Sequence, residues 1–262
     1  MNLGLDDKVV LVTAASKGLG RAIATLYAAE GATVVLASRS ADALAATAAE
    51  ISAKTGREVF WQAADLGDAA AIRELVATTA SRHGGIHVLI NNAGGPAAGG
   101  FDAIDDSGWQ TAFEGVLMSA VRCIREVLPH MRRAGFGRIL NIASSSIKQP
   151  LDHLILSNTF RTALLGLGKS LAIELAPAGI LINTLGPGRI ATDRVASLDR
   201  LRAERQGTTA EEIRRQAEAL IPVGRYGLPE EFARMAVFLA SAANSYVTGQ
   251  ALLVDGGLVR AL

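Results

Sequence analysis

Residues 8–30 read KVVLVTAASKGLGRAIATLYAAE. Positions 9–12 are a short apolar run rich in β-branched residues, the pattern of a strand buried in a parallel sheet. A loop of small residues follows. Apolar side chains then recur at helical spacing, at Leu19, Ile23, Leu26 and Tyr27. Strand, tight loop and helix N-terminus in that order make a cradle for phosphate. Small side chains let the backbone approach the anion, and the N–H groups of the first helical turn point at it. The same pattern without a ligand is only a tight strand-to-helix turn, so its meaning depends on the rest of the chain.

Outward from this stretch, strand and helix patterns alternate. Further strands are expected at 33–37, 58–62, 88–90, 138–142, 180–183 and 251–254. Helices are expected at 41–54, 68–82, 109–133, 157–176 and 229–241, the last with Pro229 in its first turn. An α/β alternation without an all-helical or all-strand block predicts a doubly wound parallel sheet between two helical layers. One domain, 1–262, accommodates it. Residues 189–221 break the rhythm. They are charged, and Thr209 with Glu212 forms a capping pattern that opens a short helix. Ligands in such sheets bind beyond the strand C-termini, so this segment is expected to be a helical lid; a solvated excursion is the alternative.

Composition narrows the function. The chain has 262 residues, half of them apolar, with 26 basic and 25 acidic residues for a net charge of +1. That balance argues against a nucleic-acid or membrane-surface binder. The single cysteine, Cys123, excludes an intramolecular disulfide and a cysteine-based metal site, and no metal is expected. The first seven residues hold no apolar run preceding a cleavage site, and the longest nearly uncharged run, 84–101, is broken by Gly, Asn and Pro. A cytoplasmic protein is expected.

Five motifs in order give the chain an end-to-end resemblance to the short-chain dehydrogenase/reductases. Thr13-Ala14-Ala15-Ser16-Lys17-Gly18-Leu19-Gly20 resembles the family's glycine motif, and Asp65-Leu66 its adenine-holding pair. Asn91-Asn92-Ala93-Gly94 matches the motif after the fourth strand. Pro187-Gly188, Ile190 and Thr192 match the segment that holds the nicotinamide end, and Val254-Asp255-Gly256-Gly257 the C-terminal strand and turn. The resemblance implies a Rossmann-type fold and a bound nicotinamide dinucleotide. Ser38 and Arg39 stand where NAD binders carry an acidic residue, and Lys17 lies in the phosphate loop. A guanidinium fork and an ammonium suit a 2′-phosphate, so NADP(H) is expected over NAD(H).

The departures carry equal weight. Ala14 replaces the loop's first glycine, which a negative φ would tolerate. The family's catalytic serine aligns at Ser144. Its Tyr-x-x-x-Lys pair falls on Ser157 and Arg161, and its supporting asparagine on Val116. None of the three tyrosines, Tyr27, Tyr226 and Tyr246, has a lysine four residues later. Serine is a far poorer acid than a phenol of pKa ~10 beside a cation.

Three readings follow. In the first, an oxidoreductase works with a rebuilt site: Ser144 and Ser157 position the substrate, Arg161 stabilises developing charge and holds ribose, and His153 or a water supplies the proton. In the second, the chain senses NADP(H) without turnover. In the third, the nucleotide is structural and the site does other chemistry. The first is preferred, because cradle, lid and catalytic-loop serine are all retained. The substrate is a small molecule. Arg189, Arg194 and Lys148 are candidates to meet an acidic group on it. Apolar residues on more than one face of helices 109–133 and 157–176, with the resemblance, imply a homotetramer or homodimer.

Overall fold

The computed structural model describes residues 1–261. Its strands are β1 (Val9–Thr13), β2 (Thr33–Ser38), β3 (Val59–Ala63), β4 (Val88–Asn91), β5 (Gly137–Ile142), β6 (Ile180–Pro187) and β7 (Ala251–Val254). They form one sheet in the order β3-β2-β1-β4-β5-β6-β7, with every neighbouring pair parallel. The helices are α1 (Gly18–Ala29), α2 (Ala41–Thr55), α3 (Ala69–His83), α4 (Asp106–Ala112), α5 (Ser119–Ala134), α6 (Ile155–Leu175), α7 (Asp193–Gln206), α8 (Ala210–Leu220) and α9 (Pro229–Leu239).

The period of two along a strand explains the three layers. Val10, Val12, Val34, Leu36, Val88 and Ile90 point to one face, where α1, α2 and α9 cover them through Ile23, Leu44, Phe232 and neighbours. Leu11, Val35, Leu89 and Ile139 point to the other, under Leu75 of α3, Val127 of α5 and Leu175 of α6. Both faces are covered, so the strands read as continuous apolar runs. Local signals set the helix ends. Ser40 accepts from the Ala43 N–H and Asp68 from the Ala70 N–H, while Gly56 and Gly84 take left-handed φ values of 69° and 80° to close α2 and α3.

Four expectations are corrected. The helix expected at 109–133 is divided: α4 and α5 are joined by a π-helical turn, Phe113–Met118. Gly115 sits in that turn, and the Ser119 hydroxyl donates to its carbonyl (2.8 Å). Between β6 and α9 there are two helices, not one. The first, α7, is capped by Thr192, whose hydroxyl accepts from the Val195 N–H. Ala14 has φ +46°, not a negative value. The turn out of β1 needs the left-handed region whatever residue fills it, at a strain of about 1–2 kcal/mol for alanine. β6 also runs four residues past the expected 183.

Candidate functional site

The strand order reverses direction between β1 and β4, and an open cleft of about 1860 Å³ lies beyond the strand C-termini there. The loop after β1 forms one wall. The Thr13 hydroxyl donates to the Asn92 carbonyl (2.7 Å) and accepts from the Asn92 N–H (2.9 Å), fastening β1 to the loop after β4. The Asn92 side-chain amide donates to the Ala14 carbonyl (3.2 Å). A Cβ on Gly20 would lie 2.5 Å from that carbonyl and 2.9 Å from the Ala15 Cα, so only glycine lets α1 start so close beneath the loop. Thr13, Ala15 and Gly20 are buried and shape the wall from behind. Ser16, Lys17, Gly18 and Leu19 line the cleft itself.

Residues at the ends of the other strands complete the groove. Ser38, Arg39, Asp65 and Leu66 line it beyond β2 and β3, and Asn92, Ala93 and Gly94 beyond β4. Pro187, Gly188, Ile190 and Thr192 line it beyond β6. The Ser38 hydroxyl is buried with no hydrogen-bond partner, between the Lys17 and Arg39 loops. A buried orphan hydroxyl is costly unless something meets it. Together with the open approach past Gly18, it fits a dinucleotide whose ribose reaches Ser38. Lys17 and Arg39, both exposed, suit a phosphate on that ribose.

The expected reacting centre comes together in the same cleft. Ser144 caps the turn after β5, its Oγ accepting from the Ser146 N–H (3.1 Å). Ser157, in the first turn of α6, is 7% exposed and lines the cleft. Arg161, one turn on, is buried. It donates to the Ile142 carbonyl (2.7 Å) and the Ala93 carbonyl (3.1 Å), tying the end of β5 to the loop after β4. Burial, and then the nearby Arg194 charge, lower its pKa to about 10, so it remains a cation at neutral pH. Val116, in the π-helical turn, lines the same space. His153 is exposed at the mouth in a left-handed conformation, φ +57°.

No tyrosine lines this cleft among the described residues. Tyr27 is buried under α9 and donates to the Ala240 carbonyl (3.1 Å). Tyr226 donates to the Asp199 carboxylate (2.9 Å), and Tyr246 is 96% exposed. Of the three cations considered for an acidic group, the structure separates the roles. Arg189 is paired with Asp199, and Lys148 is exposed outside the cleft lining. Arg194 reaches into the cleft and donates to the Pro96 carbonyl (2.7 Å). Sequence reasoning missed Arg202 and Arg205, which line the cleft from α7, because that helix was not foreseen. Among the described residues, no group of three metal-ligating side chains is present, and no helix is long and apolar enough to cross a membrane.

Comparison with known proteins agrees with this geometry. Residues 13–259 match the family model described as enoyl-(acyl carrier protein) reductase. The short-chain reductase protein NovJ of Streptomyces niveus is 36% identical over 252 residues, 96% of this chain and 94% of NovJ. The structure of L-sorbose reductase from Gluconobacter frateurii, complexed with NADPH and L-sorbose, superposes with a TM-score of 0.94 at 33% identity, covering 100% of both chains. A variant of actinorhodin polyketide ketoreductase with NADPH gives 0.92 at 34% identity, over 96% of this chain and 97% of that one. With its sheet order, its glycine-lined cleft and relatives matched along nearly their whole lengths, the chain belongs to the short-chain dehydrogenase/reductase family.

Proposed function

We propose that this chain is an NADP(H)-dependent oxidoreductase for the carbonyl/alcohol pair of a small molecule, with a proton donor other than tyrosine. The observation that carries the reading is the convergence of Ser144, Ser157 and Arg161 on the dinucleotide cleft, with His153 at its mouth and no phenol there. When bound, the nicotinamide supplies hydride. NADPH-bound relatives, and the Lys17–Ser38–Arg39 grouping, support the phosphorylated coenzyme.

The residues present divide the remaining work. Ser144 and Ser157 hold the carbonyl oxygen by hydrogen bonds. Arg161 fixes the walls of the site and keeps a positive field where negative charge develops on that oxygen. It does not relay protons, since it stays charged. His153, or a water it holds, delivers the proton from the mouth. Residues 189–221, with α7 and α8, act as the lid. Localisation in the cytoplasm and assembly as a homotetramer or homodimer belong to the same reading. The exposed Ile173 on α6, 74% accessible, supports a partner there.

The experiment offers NADPH with ketones, quinones, imines and oxoacyl thioesters, and compares the wild type with the double variant Ser157→Tyr/Arg161→Lys. The proposal expects turnover of at least one class by the wild type and faster ketone reduction by the double variant. A second reading, a nucleotide sensor, is favoured by one observation: Arg161 is already committed to two backbone carbonyls. Tight NADPH binding without turnover of any class would establish the sensor instead.

A further inference from the structure

The guanidinium of Arg194 lies against the backbone of Gly95. A Cβ built on Gly95 would stand 2.6 Å from Nε, 2.8 Å from Cζ and 2.9 Å from Nη2, so a side chain at 95 would make the guanidinium shift from this position. One N–H of Nη2 goes to the Pro96 carbonyl. The guanidinium carries five N–H donors, so four remain. Arg161, close by, is 6% exposed, and its protein partners are the neutral carbonyls of Ile142 and Ala93. Among the described residues, neither arginine has a carboxylate in an ion pair.

Two guanidinium groups, one of them buried, thus line the cleft without an ion-pair partner. A buried charge is ordinarily paired, and leaving it unpaired is expensive. Arg202 and Arg205 add positive charge to the same cleft from α7. Asp65, Glu114, Asp152 and Asp193 also line the cleft; Glu114 is paired with Arg122, and none of the four forms an ion pair with Arg161 or Arg194. The net charge of the whole chain is only +1, so the imbalance is local to this site.

From this juxtaposition we propose that the substrate is a small carbonyl compound bearing an oxyanion near its reacting carbon, held by Arg194 over Gly95. The inference rests on the oxidoreductase reading and names its substrate class. In the reaction, the carbonyl carbon gains hydride from NADPH and its oxygen gains one proton. The products are the anionic alcohol and NADP+, while the oxyanion itself is unchanged.

The test pairs each anion with a neutral counterpart: acetoacetate with methyl acetoacetate, pyruvate with methyl pyruvate, and dihydroxyacetone phosphate with dihydroxyacetone. NADPH oxidation is followed for the wild type, Arg194→Ala and Gly95→Ala. A surface control, Arg132→Ala, removes an exposed cation at the far end of α5. Calorimetric titration of the same anions into the full chain loaded with NADP+ reads binding independently of turnover. The expected result is a preference for at least one anion over its neutral partner. Arg194→Ala should weaken that anion's binding and raise its KM by about tenfold to a hundredfold, and Gly95→Ala, which shifts the guanidinium, should do the same to a smaller extent. The neutral partner's KM should change less than the anion's in both variants, and Arg132→Ala should change nothing. The phosphate and carboxylate arms distinguish the two oxyanion sources.

Three outcomes overturn the inference. One is equal use of neutral and anionic partners by the wild type. Another is an Arg194→Ala variant that keeps its anion affinity. The third is loss of NADPH affinity in place of anion affinity, which would assign Arg194 to the coenzyme's pyrophosphate. If no carbonyl compound is reduced, the oxidoreductase reading fails, and anion binding by calorimetry still decides whether the arginines form an anion site.

Discussion

At residue 14 a methyl group occupies a backbone conformation that favours glycine, with φ +46°. The turn is imposed from both sides: the Ala14 carbonyl accepts from the Asn92 side chain, and the Ala15 N–H donates to the Ala37 carbonyl. Replacing Ala14 by glycine should therefore stabilise the fold by about 0.5–1 kcal/mol, the strain relief outweighing the extra freedom of the unfolded chain. Thermal or denaturant unfolding checks the sign. Charge selection operates at the same scale. Arg39→Asp should weaken NADPH binding by about tenfold or more and leave NADH binding nearly unchanged. Nucleotide fluorescence titrations separate the two, and equal losses would refute the phosphate assignment. The family resemblance pointed to some single residues, Ser144 and Asn92 among them, and both line the cleft. To others it did not. Arg138, in a strand, is buried and spends its guanidinium on the carbonyls of Gly137, Ser241 and Asn244, partners more than a hundred residues away in two cases. Nothing local in the sequence announces that.

Elements were legible where periodicity and punctuation agreed. Strands buried on both faces gave unbroken apolar runs, and Gly56 marked a helix end. The π-helical turn at Phe113–Met118 escaped because the apolar positions recur across it, and one extra residue per turn leaves no mark over so short a span. Helix α7 escaped because it is mostly polar; its anchor is the tertiary set of Arg189, Asp199 and Tyr226, not a local stripe. Helix α9 was legible through Pro229, and its start depends on Glu231. That carboxylate accepts from Arg225 and from the Leu228 N–H (2.8 Å), and these bonds, the Arg225 one foremost, lower its pKa to about 2. A depressed carboxylate stabilises the fold above its ordinary range and loses that contribution as pH falls through the folded value. Glu231→Gln should therefore lower the Tm at neutral pH. The gap from wild type should shrink between the ordinary glutamate range and about pH 2. A gap that persists unchanged at the acid end would show that the ion pair is not its source.

Across the whole molecule, the doubly wound parallel sheet, with a cleft beyond its strand C-termini, was implied by alternation, while the strand order itself came only with the structure. What the cleft contains was less accessible. Its arginines come from the loop after β2, α6, the loop after β6 and α7, segments distant in sequence, while the overall charge nearly cancels. The central claim is that this cleft moves hydride from a bound nicotinamide without a phenolic acid. Its most direct measurement uses NADPH deuterated at the transferable position, with the carbonyl panel, and mass spectrometry of the products. The account predicts one deuterium on the former carbonyl carbon of at least one product. NADPH bound firmly, with no deuterium reaching any product, would contradict it.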